Sequence, residues 1–156
     1  MKVLVTGANG FVGQSLCPVL LAAGHEVVAA IRHDSAPQLP IAVKCINVDS
    51  LTPHTYWLDA LNGVDAIVHL AARAHVMEEI SDNPEMAYWR LNVEVTRHLA
   101  NEAALHGIKR LVFLSSIKVN GEHTKDAPFT SDARPAPEDA YGRTKRDAEI
   151  DLIRAT

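Results

Sequence analysis

The sequence predicts a doubly wound α/β domain, with a five-stranded parallel sheet in the order 3-2-1-4-5 and helices on both faces. Three observations carry this. Short apolar runs, of the kind a parallel sheet buries on both faces, alternate with helical segments along the chain. The first run leads straight into a glycine turn and a helix. The 156 residues, 47% apolar and 22% charged, suffice for one domain with a real core. Right-handed crossovers then favour that strand order.

Val3-Leu4-Val5 forms the first strand. Gln14 to Ala23 reads as helix, with Leu16, Leu20 and Leu21 on one face, Pro18 inside it and Gly24 as its stop. His25 to Ile31 is a second strand, and Asp34 to Pro40 a polar loop. Val43 to Val48 is a third strand. Thr52-Pro53 reads as a cap with proline at the first helical position, opening a helix to Leu61 that Gly63 ends. Asp65 to Leu70 is a fourth strand, and Ala71 to Ser81 is irregular or partly helical. Asp82 or Asn83 caps a long helix that begins at Pro84 and runs to His106, where Gly107 stops it. Lys109 to Ser115 is a fifth strand. Asn120 to Pro137 is a loop, and a last helix starts near Asp139.

The opening turn, Thr6-Gly7-Ala8-Asn9-Gly10-Phe11-Val12-Gly13, spaces its glycines by three. One glycine serves a sharp turn, one a close approach of backbone to ligand, and one tight helix–strand packing. The helix beginning near Phe11 aims its unpaired N–H groups and positive dipole end over the turn, a site suited to a pyrophosphate. A dinucleotide is therefore expected there. In such sheets ligands bind beyond the carboxyl ends of the strands. That rule gathers Thr6-Gly7, His69-Leu70-Ala71-Ala72 and Ser115-Ser116 around one crevice.

The bulk numbers exclude other classes. A net charge of −4 without a basic block argues against nucleic acid. No apolar run approaches the roughly 18 residues of a membrane helix, and the immediate opening strand argues against a signal peptide. Cys17 and Cys45 read as buried thiols of a reducing cytoplasm. The eight histidines form no metal-binding spacing, so no metal is expected.

Tyr141 and Lys145 lie four apart, on one face of the last helix. A free phenol ionises near pH 10, and a cation held beside it favours the phenolate. Such a lysine can also bind ribose hydroxyls. Ser116, just past the fifth strand, can bond a substrate oxygen while the tyrosine moves a proton; Ser115 competes for that role. Asn92 on the long helix can hold a water or the backbone near the lysine.

Together the glycine turn, Ser116, Tyr141 and Lys145 resemble the extended short-chain dehydrogenase/reductases, in the nucleotide-sugar epimerase, dehydratase and reductase branch. Thr6 to Gly13 matches its T-G-x-x-G-x-x-G, His69 to Ala72 its H-x-A-A, and Leu91-Asn92-Val93 with Thr96 its N-V-x-x-T helix. Leu114-Ser115-Ser116 and Tyr141-x-x-x-Lys145 match the catalytic pieces. The resemblance implies a Rossmann domain in which Ser116 and Tyr141 act at the reacting oxygen, Lys145 on the ribose and Asn92 in support. It implies cofactor contacts from Gly7, Asn9, Gly10, Phe11, Val12, Gly13, Asn47, Val48, Leu70, Ala71, Ala72, Ser115, Tyr141 and Lys145. It further implies a cytoplasmic oxidoreductase or isomerase acting on a nucleotide sugar, UDP-linked, by 4-epimerisation, dehydration or 4-ketoreduction. Homodimerisation through the long helices is also implied. A non-catalytic dinucleotide-sensing module regulating a partner is the alternative.

The sequence departs from the family pattern in places. Where the family often has Asp at the end of strand two, Ile31 stands, followed by Arg32. Loss of a carboxylate and gain of a guanidinium favour a 2′-phosphate, hence NADP over NAD. The acidic residue expected after strand three is Asn47, with Asp49 close by, and Asn120 replaces a tyrosine. Family members are longer, with a C-terminal region that grips the sugar nucleotide, so residues 1–156 look like the cofactor-binding half. Arg73-Ala74-His75-Val76-Met77 is similar to a bacterial subgroup that reduces 4-keto-6-deoxy amino-sugar nucleotides for surface polysaccharide.

Overall fold

The computed structural model describes residues 1–32, 38–48, 50–74, 81–124 and 127–155. Residues 33–37, Asp49, 75–80, 125–126 and 156 fall outside them, and with them parts of the three predicted loops. Strands β1 (Lys2–Thr6), β2 (Glu26–Ile31), β3 (Lys44–Asn47), β4 (Ala66–His69) and β5 (Arg110–Phe113) form one sheet. All neighbours run parallel, in the order β3-β2-β1-β4-β5. The predicted doubly wound topology is the observed one.

The unbroken apolar runs of β1, β2 and β4 follow from burial on both faces, whereas the edge strands β3 and β5 are partly exposed. Leu4, Val28 and Ile67 point to one side, against Leu99 and Ala103 of helix α4 (Val95–Leu105) and Ala60 and Leu61 of the short helix α2 (Leu58–Leu61). Val3, Val5, Val27 and Ala29 point to the other, against Cys17 and Leu20 of helix α1 (Phe11–Ala22). Full burial of each large aliphatic side chain contributes about 1.5–3 kcal/mol. Helix α3 (Pro84–Trp89) and the C-terminal helix α5 (Ala140–Arg154) complete the set. No helix among the described residues is long and apolar enough to cross a membrane.

Several expectations need correction. The helix predicted from Thr52 begins only at Leu58. Thr55 Oγ1 accepts from the Thr52 N–H and bonds the carbonyls of Ser50 and Thr52, while Thr52 Oγ1 accepts from the His54 N–H. Short hydroxyl side chains thus take the backbone partners a first helical turn would need. Cys17 is buried, but Cys45 on β3 is exposed, and both are free thiols. The thiol of Cys17 is raised by burial and by the neighbouring Cys45. The long helix predicted over 84–106 is interrupted: α3 passes into a π-helical stretch, Arg90–Glu94, before α4. Asn83 caps α3 by accepting from the Met86 N–H at 3.1 Å. Pro18 does sit inside α1, on its exposed side.

Candidate active site

A cleft of about 380 Å³ opens beyond the carboxyl ends of the central strands. Gly7, Asn9 and Gly10 line it from the opening turn, Arg32 from the end of β2, and Leu70, Ala71 and Ala72 from the end of β4. Gly7 has φ +66°, and a Cβ there would lie 2.8 Å from the Ala71 nitrogen. The turn and the segment after β4 therefore close on each other only because residue 7 has no side chain. Both features fit the coenzyme expected from the sequence: bare backbone where a pyrophosphate passes, and a helix N-terminus facing it.

Three residues across the sheet form a row at this end. Thr6, His69 and Phe113 are register partners on β1, β4 and β5. His69 is fully buried between two hydroxyls, with Nδ1 2.6 Å from Thr6 Oγ1 and Nε2 2.9 Å from Thr96 Oγ1. Burial, reinforced by the charge of Lys145, lowers its pKa to about 3, so the ring is neutral at physiological pH. Thr6 Oγ1 also accepts from the Ala71 N–H at 3.2 Å, fixing the segment that lines the cleft. In this row His69 is a structural core histidine.

The π-helical stretch exists where Asn92 reaches out of its helix. Asn92, 1% exposed, accepts from the Arg73 N–H at 2.8 Å and donates to the Arg73 carbonyl at 3.1 Å. It also donates to Thr144 Oγ1 at 3.1 Å. One amide thus ties the chain after β4 to α5, beside Lys145. Inserted π turns are frequent at functional sites, and here the stretch carries the buried asparagine.

The start of α5 is docked on the segment after β5. Asp139 caps α5, accepting from the Gly142 N–H at 2.6 Å, and its other oxygen lies 2.6 Å from Lys118 Nζ. Lys118 also meets Glu122 at 2.9 Å. These carboxylates raise the ammonium's pKa well above its usual value. A Cβ on Gly142 would sit 2.6 Å from the Lys118 carbonyl, so backbone meets backbone at this joint. Ser116 caps the 3-10 turn Ile117–Val119, accepting from the Lys118 N–H at 3.2 Å and keeping its own proton to donate. Ser115 turns away: its hydroxyl donates to Glu149 at 2.5 Å. Tyr141 packs edge-on to Tyr88, with centroids 6.4 Å apart, and Arg73 lies 5.3 Å from the far ring. Lys145 is 2% exposed; burial pulls its pKa down to about 8, with Glu149 pushing back.

Most of the residues read from sequence therefore converge, in two neighbouring groups. Gly7, Asn9, Gly10, Arg32, Val48, Leu70, Ala71 and Ala72 line the cleft; Ser116, Tyr141, Lys145 and Asn92 belong to the joint of α5. Phe11, Val12 and Gly13 form the first turn of α1 and are not among the lining residues, and Asn47 is exposed at the end of β3 outside the lining. Ala30, Ser50, Leu51, Arg73 and Leu91 also line the cleft and were missed. Nothing in their spacing marks them, because Ala30 reads as one more buried strand residue and the others reach the cleft from loops and a helix side. Asp49 and residues 75–77 lie outside the described residues.

Comparison with known proteins agrees with this geometry. Residues 3–156 match the sequence model of the NAD dependent epimerase/dehydratase family. A UDP-glucose 4-epimerase of Vibrio cholerae is 37% identical over 154 residues, covering 97% of this chain and 46% of that protein. A 2-alkyl-3-oxoalkanoate reductase of Stenotrophomonas maltophilia is 34% identical over 159 residues, covering 99% and 46%. Among solved structures, MoeE5 in complex with UDP-glucuronic acid and NAD superposes with a TM-score of 0.82 at 32% identity, over 99% of this chain and 49% of that one. The chain spans a little under half the length of the curated relatives it matches.

Proposed function

The chain belongs to the NAD dependent epimerase/dehydratase family, and on that premise we propose that residues 1–156 are the dinucleotide-binding part of a nucleotide-sugar enzyme. The pyrophosphate lies over Gly7 to Gly10 and the reactive ring points toward Tyr141. The nicotinamide supplies the hydride acceptor or donor at a carbon of a UDP-linked sugar. Tyr141 carries the proton of the sugar hydroxyl, Ser116 bonds the same oxygen, and Lys145 holds the ribose hydroxyls. Asn92 supports both through Arg73 and Thr144. Epimerisation, dehydration and ketoreduction share this half-reaction, and the outer faces of α4 and α5 are where two copies would pair. What supports the reading is one observation: the glycine cleft and the joint carrying Ser116, Tyr141 and Lys145 meet at the same end of the sheet.

Arg32 extends the proposal to cofactor choice. It lines the cleft where β2 ends, and the described lining holds no carboxylate to repel a 2′-phosphate. One charge-assisted hydrogen bond is worth about 1.5–3 kcal/mol, so NADP should bind roughly tenfold tighter than NAD. Parallel calorimetric titrations test this. Equal affinities would remove the role given to Arg32, and no heat with either dinucleotide at millimolar concentration would remove the function.

A further inference from the structure

The ammonium of Lys145 rests on the face of an aromatic ring, and we propose that Phe113 is the residue that positions it. The proposal deepens the role given above to Lys145 and rests on it. Lys145 Nζ lies 3.8 Å from the centroid of the Phe113 ring, well inside cation–π range. The ring in turn stacks on His69, at 5.9 Å between centroids and 25° between planes. His69 is the register neighbour of Phe113 on β4 and is held neutral by its burial and by Lys145 itself. The phenyl ring thus contacts both an uncharged imidazole and a cation.

The charged and titratable groups around Lys145 leave the ring this task. Glu149, one turn on along α5, favours the ammonium but is engaged by Ser115 at 2.5 Å and by Arg146 at 3.1 Å. Tyr141 lies one turn back on α5, and His69 faces from β4. Among the described residues no carboxylate lies within ion-pair distance of Lys145. A carboxylate there would neutralise the lysine and compete with ribose hydroxyls. A ring face attracts the cation without occupying its hydrogen-bond donors. Only the charged form feels this attraction, so the ring raises the lysine's proton affinity against the burial that lowers it.

The test needs no dinucleotide. Lysine side-chain NMR titration of the chain reads the Lys145 midpoint directly. Phe113→Leu keeps an apolar side chain and removes the ring; the midpoint should fall by about one pH unit, equivalent to about 1.4 kcal/mol of lost attraction. Phe113→Tyr keeps the ring and should stay close to the parent. An unchanged midpoint in folded Phe113→Leu would overturn the proposal, since a packing role alone leaves the titration in place. If that variant does not fold, the unsubstituted chain decides. Its Lys145 ε-protons should be shifted upfield by the ring current, and ordinary shifts would overturn the proposal. Failure of dinucleotide binding with the ring effect intact would instead count against the proposed function alone.

Discussion

Gly13→Ala should cost the domain about 3 kcal/mol and lower its Tm by roughly 10 °C, at the severe end of overpacking. A Cβ at residue 13 would lie 2.5 Å from the Cα and carbonyl oxygen of Ala8 and from the carbonyl oxygen of Gly7. All three are backbone atoms of the turn, so no side-chain rotation relieves the clash. The turn must move away from α1, and α1 is the helix whose N-terminus faces the cleft. Dinucleotide affinity should therefore fall more than tenfold, since displaced N–H donors no longer converge on a phosphate. Gly24→Ala is the control. Gly24 has φ +78° with nothing within 4 Å of the added carbon, so only conformational strain of about 1 kcal/mol is expected. Thermal unfolding and calorimetry of the two variants side by side check this. Equal losses would mean that the packing of α1 on its turn is not what residue 13 secures.

Tyr141→Phe should lower turnover by about 10²–10⁴-fold, the usual worth of a positioned acid–base group, with dinucleotide affinity changed less than threefold. The hydroxyl is the only atom removed, and the ring contact with Tyr88 at 6.4 Å remains possible. The Asp139 cap and the Gly142 joint do not involve the lost oxygen. Affinity is measured on this chain. Turnover is measured with nucleotide sugar on protein spanning the full length of the relatives. Retained turnover would assign proton transfer to another group; a large loss of affinity would mean that the phenol binds the coenzyme more than it serves the chemistry.

The central strands were legible because burial on both faces of β1, β2 and β4 writes itself as apolar runs, and right-handed crossovers leave few topologies for the order. The opening turn was legible because three glycines after a strand have mechanical reasons. The π-helical stretch was not: residues 84–106 carry ordinary helix-forming types, and the insertion depends on Asn92 finding Arg73 and Thr144, partners distant in sequence. The late start of α2 was hidden for a related reason, since Thr52-Pro53 has the chemistry of a cap while Thr55 folds the same stretch into a turn. Ser116 was preferred to Ser115 from its place past the fifth strand and from the family resemblance, with no geometric reason in the sequence. Glu149, further along α5, engages Ser115 and leaves Ser116 at the joint. Arg73 and Ser50 reached the cleft through loops whose course no periodicity encodes.

The most direct test of the account is a crystal structure of the chain grown with NADP. The expected result is the pyrophosphate over Gly7 to Gly10, the adenosine end beside Arg32, and ribose hydroxyls within hydrogen-bond reach of Lys145 Nζ. A coenzyme seated elsewhere, or one whose nicotinamide lies away from the Tyr141 phenol, would contradict it.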